Sequence, residues 1–269
     1  MLKDITIGQY YEGKSLLHKS DPRMKIIWLI ALIVLIFLAQ NMYALGFAAI
    51  SVIIAIVISR VPIKMYLKNM KTILPILLFT AVINLFYGEG EVLFSLFGKI
   101  NITDGGIYRS VFMALRILLF IFISSVLTYT TTPNDLTDAI ESLLSPLKFI
   151  GLKSAVHTLA MMMTITLRFI PTLIEEAEKI MNAQKARGAD LESGGLTKRV
   201  KALIPILVPL LISAVRRSYE LAAAMECRCY NGGEGKTRMK KMRLSLIDLF
   251  LSLACIIIGA GIITLNILL

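Results

Sequence analysis

The chain has 269 residues, of which 57% are hydrophobic and 17% charged, with a mean hydropathy of +0.75. A typical soluble domain carries about 45–50% apolar and about 25% charged residues, so too little polar surface exists here to cover a soluble globule, and three cysteines exclude a disulfide scaffold. A net charge of +11 would point to nucleic acid on a soluble protein; on an integral membrane protein it reads first as topology, because basic loops stay on the cytoplasmic side.

In chain order, Ile26 to Ser59 is an uncharged run broken only by Gln40-Asn41. At 1.5 Å per residue its 34 residues are too long for one upright crossing of a roughly 30 Å core. A tight helical hairpin with two spans is expected. Further apolar stretches run from Thr72 to Gly88, from about Ile107 to Tyr129 with only Arg109 and Arg116 charged, and from Leu249 to Leu269, which brings the expectation to five spans. Residues 1–25 carry Lys3, Lys14, Lys19, Arg23 and Lys25, and residues 60–71 carry Arg60, Lys64, Lys68 and Lys71 with no acid. An even number of spans between them puts both on the cytoplasmic side, and the loop with Glu89, Glu91, Lys99 and Asp104 outside. The leading polar region is too long, and lacks a small-residue cleavage site, for a removable signal.

The segment 130–243 holds 17 basic and 11 acidic residues around two apolar islands, Ala155 to Ile174 and Ala202 to Val215. Crossing by the first island alone would strand the basic stretch from Arg216 to Arg243 outside, against the charge rule. Crossing by both is disfavoured only mildly, and crossing by neither is preferred. The segment then divides into a short helix opened by Pro133-Asn134-Asp135 and ending near Pro146, and two long amphipathic helices. One runs from about Lys153 to Gly188, and the other from about Leu196 to Cys229, past a turn at Ser193-Gly194-Gly195. The domains expected are therefore 1–129 with four spans, 130–243 as a cytoplasmic helical domain, and 244–269 as the last span. The fold class is an all-α integral membrane protein.

The two long helices end alike, in Ala186-Arg187-Gly188 and Cys227-Arg228-Cys229. Each is a thin tip on which only an arginine protrudes. A guanidinium with five donors can there be enclosed by another protein's carboxylates and carbonyls; the helix dipole alone also favours a basic residue at this place. Elsewhere the signals are weak. Gly235-Lys236-Thr237 resembles the end of a phosphate loop, but its first glycine would fall at Tyr230. Cys227 and Cys229 have the wrong spacing for a redox pair, and His18 and His157 stand isolated, so neither a metal nor another cofactor is expected. Arg116 lies inside the fourth span, a functional signal by default, although a hydrogen bond within the bundle or snorkelling is the preferred reading. Paired intramembrane carboxylates of the kind an ion-coupled carrier needs do not occur.

Several stretches together resemble the T component of energy-coupling factor (ECF) transporters. They are Ile7-Gly8-Gln9-Tyr10 with Ser15, His18 and Asp21-Pro22-Arg23, then Thr132-Pro133 with Asp135-Leu136, and Arg168-Phe169-Ile170-Pro171. Ala183-Gln184 with Ala186-Arg187-Gly188, and Ala224-Met225-Glu226 with Arg228, complete the set. The similarity spans essentially the whole chain and looks closer to the shared, vitamin-type component than to the dedicated cobalt or nickel one. It implies a non-enzymatic, multi-pass plasma-membrane scaffold with no cofactor, no metal and no nucleic-acid partner. Its two arginine tips dock on two ATPase subunits, and its apolar helix faces hold a small substrate-binding S subunit. Carried over, Ala186, Arg187 and Gly188 form the first docking tip, and Cys227, Arg228 and Cys229 the second. In the second tip cysteines replace alanine and glycine, and the backbone freedom of glycine is lost at 229. The alternative is a membrane enzyme acting on a phosphorylated lipid, with Asp135, Asp138, Glu175, Glu176 and Glu178 as its only candidate carboxylates.

Overall fold

The computed structural model describes residues 10–86, 92–96, 100–146, 153–189, 195–231 and 244–268. Ile7-Gly8-Gln9, Glu89, Glu91, Lys99, Ser193-Gly194 and Gly235-Lys236-Thr237 fall outside them. Among the described residues the chain divides into two compact units, 10–132 with 244–268, and 133–231.

The first unit starts with a single turn, α1 (Leu16–Lys19). Ser15 caps it by accepting from the His18 amide, and the His18 ring bonds the Ser15 hydroxyl at 2.6 Å and the Tyr11 carbonyl at 2.9 Å. His18 is thus not isolated in space; it ties the approach segment to α1. Helix α2 (Pro22–Leu38) has proline in its first turn, and the Asp21 carboxylate accepts from the Arg23 amide. Helix α3 (Met42–Ser59) follows after Ala39-Gln40-Asn41, so the hairpin breaks where two polar residues interrupt the apolar run. Helix α4 (Ile63–Phe86) begins nine residues before the uncharged stretch and carries Lys64, Lys68 and Lys71 on exposed positions. Absence of charge marks the hydrocarbon layer; a helix can run on past it into the headgroups, where lysines snorkel.

A short antiparallel hairpin, β1 (Val92–Leu96) and β2 (Ile100–Thr103), connects α4 to α5 and pairs Val92 with Thr103 and Leu96 with Ile100. Among the described residues it is the one departure from all-helical structure. Thr103 then caps α5 (Asp104–Thr130) by accepting from the Gly106 amide. Helices α4 and α5 run antiparallel along their whole length: the Tyr129 hydroxyl donates to the Met65 carbonyl at one end, and the Ser110 hydroxyl to the Ala81 carbonyl towards the other. At Gly106 a β-carbon would stand 2.4 Å from the Leu85 carbonyl oxygen, so this close approach requires glycine.

Helix α9 (Leu246–Leu268) packs parallel to α2, stapled at both ends. At one end the buried Asp248 accepts from the Asp21 amide at 2.9 Å and from the Ser245 amide at 2.8 Å, a capping box that also reaches a second helix. At the other, the Asn266 side chain donates to the Leu38 carbonyl and accepts from the Gln40 amide. The core lies among α2, α3, α5 and α9, around Ile36, Leu45, Val52, Leu119, Ile123 and Ile262. A smaller cluster sets Tyr66 edge-to-face on Tyr129, 5.1 Å between centroids. Arg116 donates to the Ala39 carbonyl and lies 4.6 Å over Phe112; it closes the C-terminal end of α2, where the helix dipole favours a cation, so the bundle-interior reading holds.

Helices α3, α4, α5 and α9 are each long and apolar enough to cross a membrane, as is Ala155–Ala186 of the second unit. With 17 residues α2 is shorter, and its ends are level with those of α9. The staples also fix which ends of the helices lie together. Lys25 Nζ donates to the Thr130 carbonyl at 3.0 Å, and the Tyr11 amide to the Tyr129 carbonyl. The end of α5 and the start of α9 therefore both lie at the Asp21 end of the bundle. The segment between residues 131 and 245 therefore begins and ends at the same end of the bundle.

The second unit consists of α6 (Pro133–Leu143), α7 (Lys153–Ala186) and α8 (Leu196–Cys227). Helix α6 packs on the start of α7, where His157 Nδ1 lies 3.6 Å from Glu141.

Candidate functional site

Helices α7 and α8 pack antiparallel. Met161 meets Tyr230, whose hydroxyl donates to the sulfur at 2.6 Å; Glu176 meets Ser213 and Arg217; Gln184 reaches the Pro205 carbonyl. At the middle contact, Arg217 places Nη2 2.7 Å and Nε 3.1 Å from one carboxylate oxygen of Glu176, and the Ser213 hydroxyl donates to the other. Ser213 and Arg217 are four apart and share a face of α8, so one carboxylate clamps the crossing. Glu176 is therefore a cross-helix partner rather than a solvated-face charge. The two ligands at a spacing of four were a signal on α8, but nothing in the sequence paired them with Glu176.

The two tips share one construction. After α7 the amide of Gly188 donates to the Lys185 carbonyl at 3.0 Å, and that of Ala189 to the Gln184 carbonyl at 3.0 Å. After α8 the amide of Cys229 donates to the Glu226 carbonyl at 2.8 Å, and that of Tyr230 to the Met225 carbonyl at 3.1 Å. This paired pattern is the Schellman motif, which needs a left-handed residue just past the helix. Gly188 supplies it with φ of +86°, and Cys229 with φ of +54°. The cysteine thus adopts the conformation that glycine takes at the first tip, against the steric preference of an L-residue. In both motifs the arginine is the C-cap, so Arg187 and Arg228 occupy equivalent places.

Ala186, Arg187 and Gly188 are all exposed, as are Cys227, Arg228 and Cys229. Small residues on either side leave each guanidinium standing clear of its helix. The fold does not bring the two tips together. With Glu176 level with Ser213 and Arg217, Arg187 lies level with about Ile204 of α8, and Arg228 is about 36 Å away along that helix at 1.5 Å per residue. Between them, α8 presents Leu203, Leu207, Leu211 and Val215 as an exposed apolar stripe, with Ile204, Val208 and Ile212 beside it.

Glu176 is engaged by Ser213 and Arg217, and among the described residues no group of three or more His, Cys, Asp or Glu gathers in metal-binding geometry.

Against known proteins, the family described as cobalt transport protein (CbiQ) matches residues 13–239. The energy-coupling factor transporter transmembrane protein EcfT of Ruminiclostridium cellulolyticum is 51% identical over 252 residues, covering 94% of this chain and 93% of its own. Its namesakes in Thermosediminibacter oceani and Bacillus subtilis are 45% and 43% identical, each covering 97% of both chains. Identity of this order along nearly the whole length, on a helical multi-pass bundle, places this chain in the EcfT family, the transmembrane T components of energy-coupling factor transporters.

Proposed function

We propose that the chain is the non-catalytic energy-coupling subunit of an ECF importer, joining two cytosolic ATPase subunits to a substrate-binding S subunit in the plasma membrane for uptake of vitamins or other micronutrients. The observation that carries this reading is the twin construction of the tips. Two exposed arginines sit at the C-caps of two Schellman motifs, about 36 Å apart at opposite ends of an antiparallel helix pair. A pair of like tips suits a pair of like partners. Each ATPase subunit would receive one arginine in a groove lined with carboxylates and carbonyls.

The exposed apolar stripe of α8 supports the other half of the reading, because a surface of that kind is covered by lipid or by a membrane partner. We place residues 130–243 and the N-terminus in the cytoplasm. The basic segments 1–25 and 60–71 favour that side, and the meeting of the end of α5 and the start of α9 at one end of the first unit supports α7 and α8 both staying out of the bilayer core. ATP binding and hydrolysis by the partners would then move α7 and α8 and reorient the S subunit. The Glu176 clamp makes the two helices move as one piece.

Charge reversal tests the docking role. Arg187→Glu and Arg228→Glu set a carboxylate against the groove, and disrupting a buried charged contact at an interface costs about 2–5 kcal/mol. Both variants are expected to stay in the membrane while losing ATPase copurification and uptake. Unchanged copurification and uptake in both would reject the docking role.

A further inference from the structure

In the first unit two adjoining cavities lie at the Asp21 end of the bundle. One, of about 350 Å³, is bordered by Lys14, Lys19 and Arg60, with the exposed Leu16 and Val57 between them. The other, of about 130 Å³, is almost wholly apolar and lies among α2, α3, α5 and α9, with Ile54 at its rim. Ile58 lines both, and neither is lined by an acidic residue.

Trp28 lines the apolar cavity. It is 93% buried, and its indole N–H has no hydrogen-bond partner. A buried donor left unpaired is costly, and a cavity beside it is where an acceptor could enter. The residue lies one helical turn beyond Lys25, at the depth where tryptophan meets the ester region of a bilayer. Arg60 supplies a separate signal. It ends α3 in the left-handed conformation, φ +54°, where glycine would sit without strain, so an arginine there carries a backbone cost.

We propose that these cavities form one site for a single anionic phospholipid. Its phosphate lies among Lys14, Lys19 and Arg60, one acyl chain enters the apolar cavity past Ile58, and an ester carbonyl accepts from the Trp28 N–H. Three cations and no acid around the outer cavity give it its charge preference, and the apolar interior suits a hydrocarbon tail. Basic pockets between membrane helices are a recurrent form of headgroup recognition.

Trp28 is the only tryptophan in the chain, which makes it a built-in reporter. The full-length chain would be reconstituted in phosphatidylcholine nanodiscs and titrated with phosphatidylglycerol or phosphatidylcholine brominated on the acyl chains, reading quenching of Trp28 fluorescence. Half-quenching by the brominated phosphatidylglycerol is expected at about tenfold lower mole fraction, equivalent to about 1.4 kcal/mol. The triple variant Lys14→Gln, Lys19→Gln, Arg60→Gln should erase that preference. The variant Lys64→Gln, Lys68→Gln, Lys71→Gln, which removes as much charge elsewhere, should keep it. Ile54→Phe, at an exposed position on the cavity rim, should weaken quenching by both lipids. Equal quenching by the two lipids in the unaltered chain would overturn the proposal, as would a preference that survives the first triple variant. Reversal of the preference by soluble glycerol phosphate at matched concentration would point to a free-anion site and equally overturn it.

Discussion

Replacing Cys229 by glycine should strengthen the second tip. Cys229 has φ of +54°, and an L-residue in the left-handed region costs about 1–2 kcal/mol relative to one that is free of the clash. Glycine returns roughly 0.4–1 kcal/mol of that through its extra freedom in the unfolded chain. The net gain is about 0.5–1 kcal/mol, and it is local, because the motif closes only the last turn of α8. Hydrogen exchange reads such local opening directly. The amides of Cys229 and Tyr230, bonded to the Glu226 and Met225 carbonyls, should exchange about two- to fivefold more slowly in Cys229→Gly. Gly188→Ala makes the mirror-image change at the first tip, and the Ala189 amide, bonded to the Gln184 carbonyl, should exchange faster by a similar factor. Faster exchange at Tyr230 in Cys229→Gly, or no change in either variant, would refute the account of the tips as matched left-handed caps.

Two further outcomes follow from the bundle. Asp248→Ala leaves the buried Asp21 amide, and the more accessible Ser245 amide, without their acceptor and should lower stability in detergent by about 1–3 kcal/mol, seen as a reduced melting temperature; Asp248→Asn, which keeps one acceptor oxygen, should lose less. A cysteine placed at Ser193 should be labelled by an impermeant maleimide only after the membrane is opened, and labelling from outside intact cells would overturn the cytoplasmic placement of 130–243.

Local features were readable from sequence, and distant ones were not. The break at Gln40-Asn41 interrupts a run of apolar residues, and the stop at Gly188 follows an amphipathic stretch, so both could be seen in a short window. The start of α4 was missed because its first residues are charged, and the loss of charge dates entry into hydrocarbon rather than the onset of helix. The β1–β2 hairpin was missed for a related reason, since attention to apolar spans passes over a loop whose Val, Phe and Ile suit a strand. The parallel setting of α2 and α9 rests on Asp21 with Asp248 and Leu38 with Asn266, pairs more than two hundred residues apart. Of these only the capping box of Ser245 and Asp248 leaves a local trace. At the tips, the arginines and their small neighbours were legible, whereas the conformation of Cys229 was not, because cysteine gives no warning of a left-handed backbone.

The tips as ATPase contacts are tested most directly by protection of their own thiols, since loss of function in a variant can arise indirectly and burial at a contact cannot. Cys227 and Cys229 are exposed, and Cys255 lies within α9. A polar maleimide should modify Cys227 and Cys229 in the isolated subunit and spare Cys255. In the complex assembled with the two ATPase subunits the first two should become protected, and Arg228→Glu should restore their labelling. Equal labelling rates in the free and assembled states would contradict the assignment of this tip as an interface.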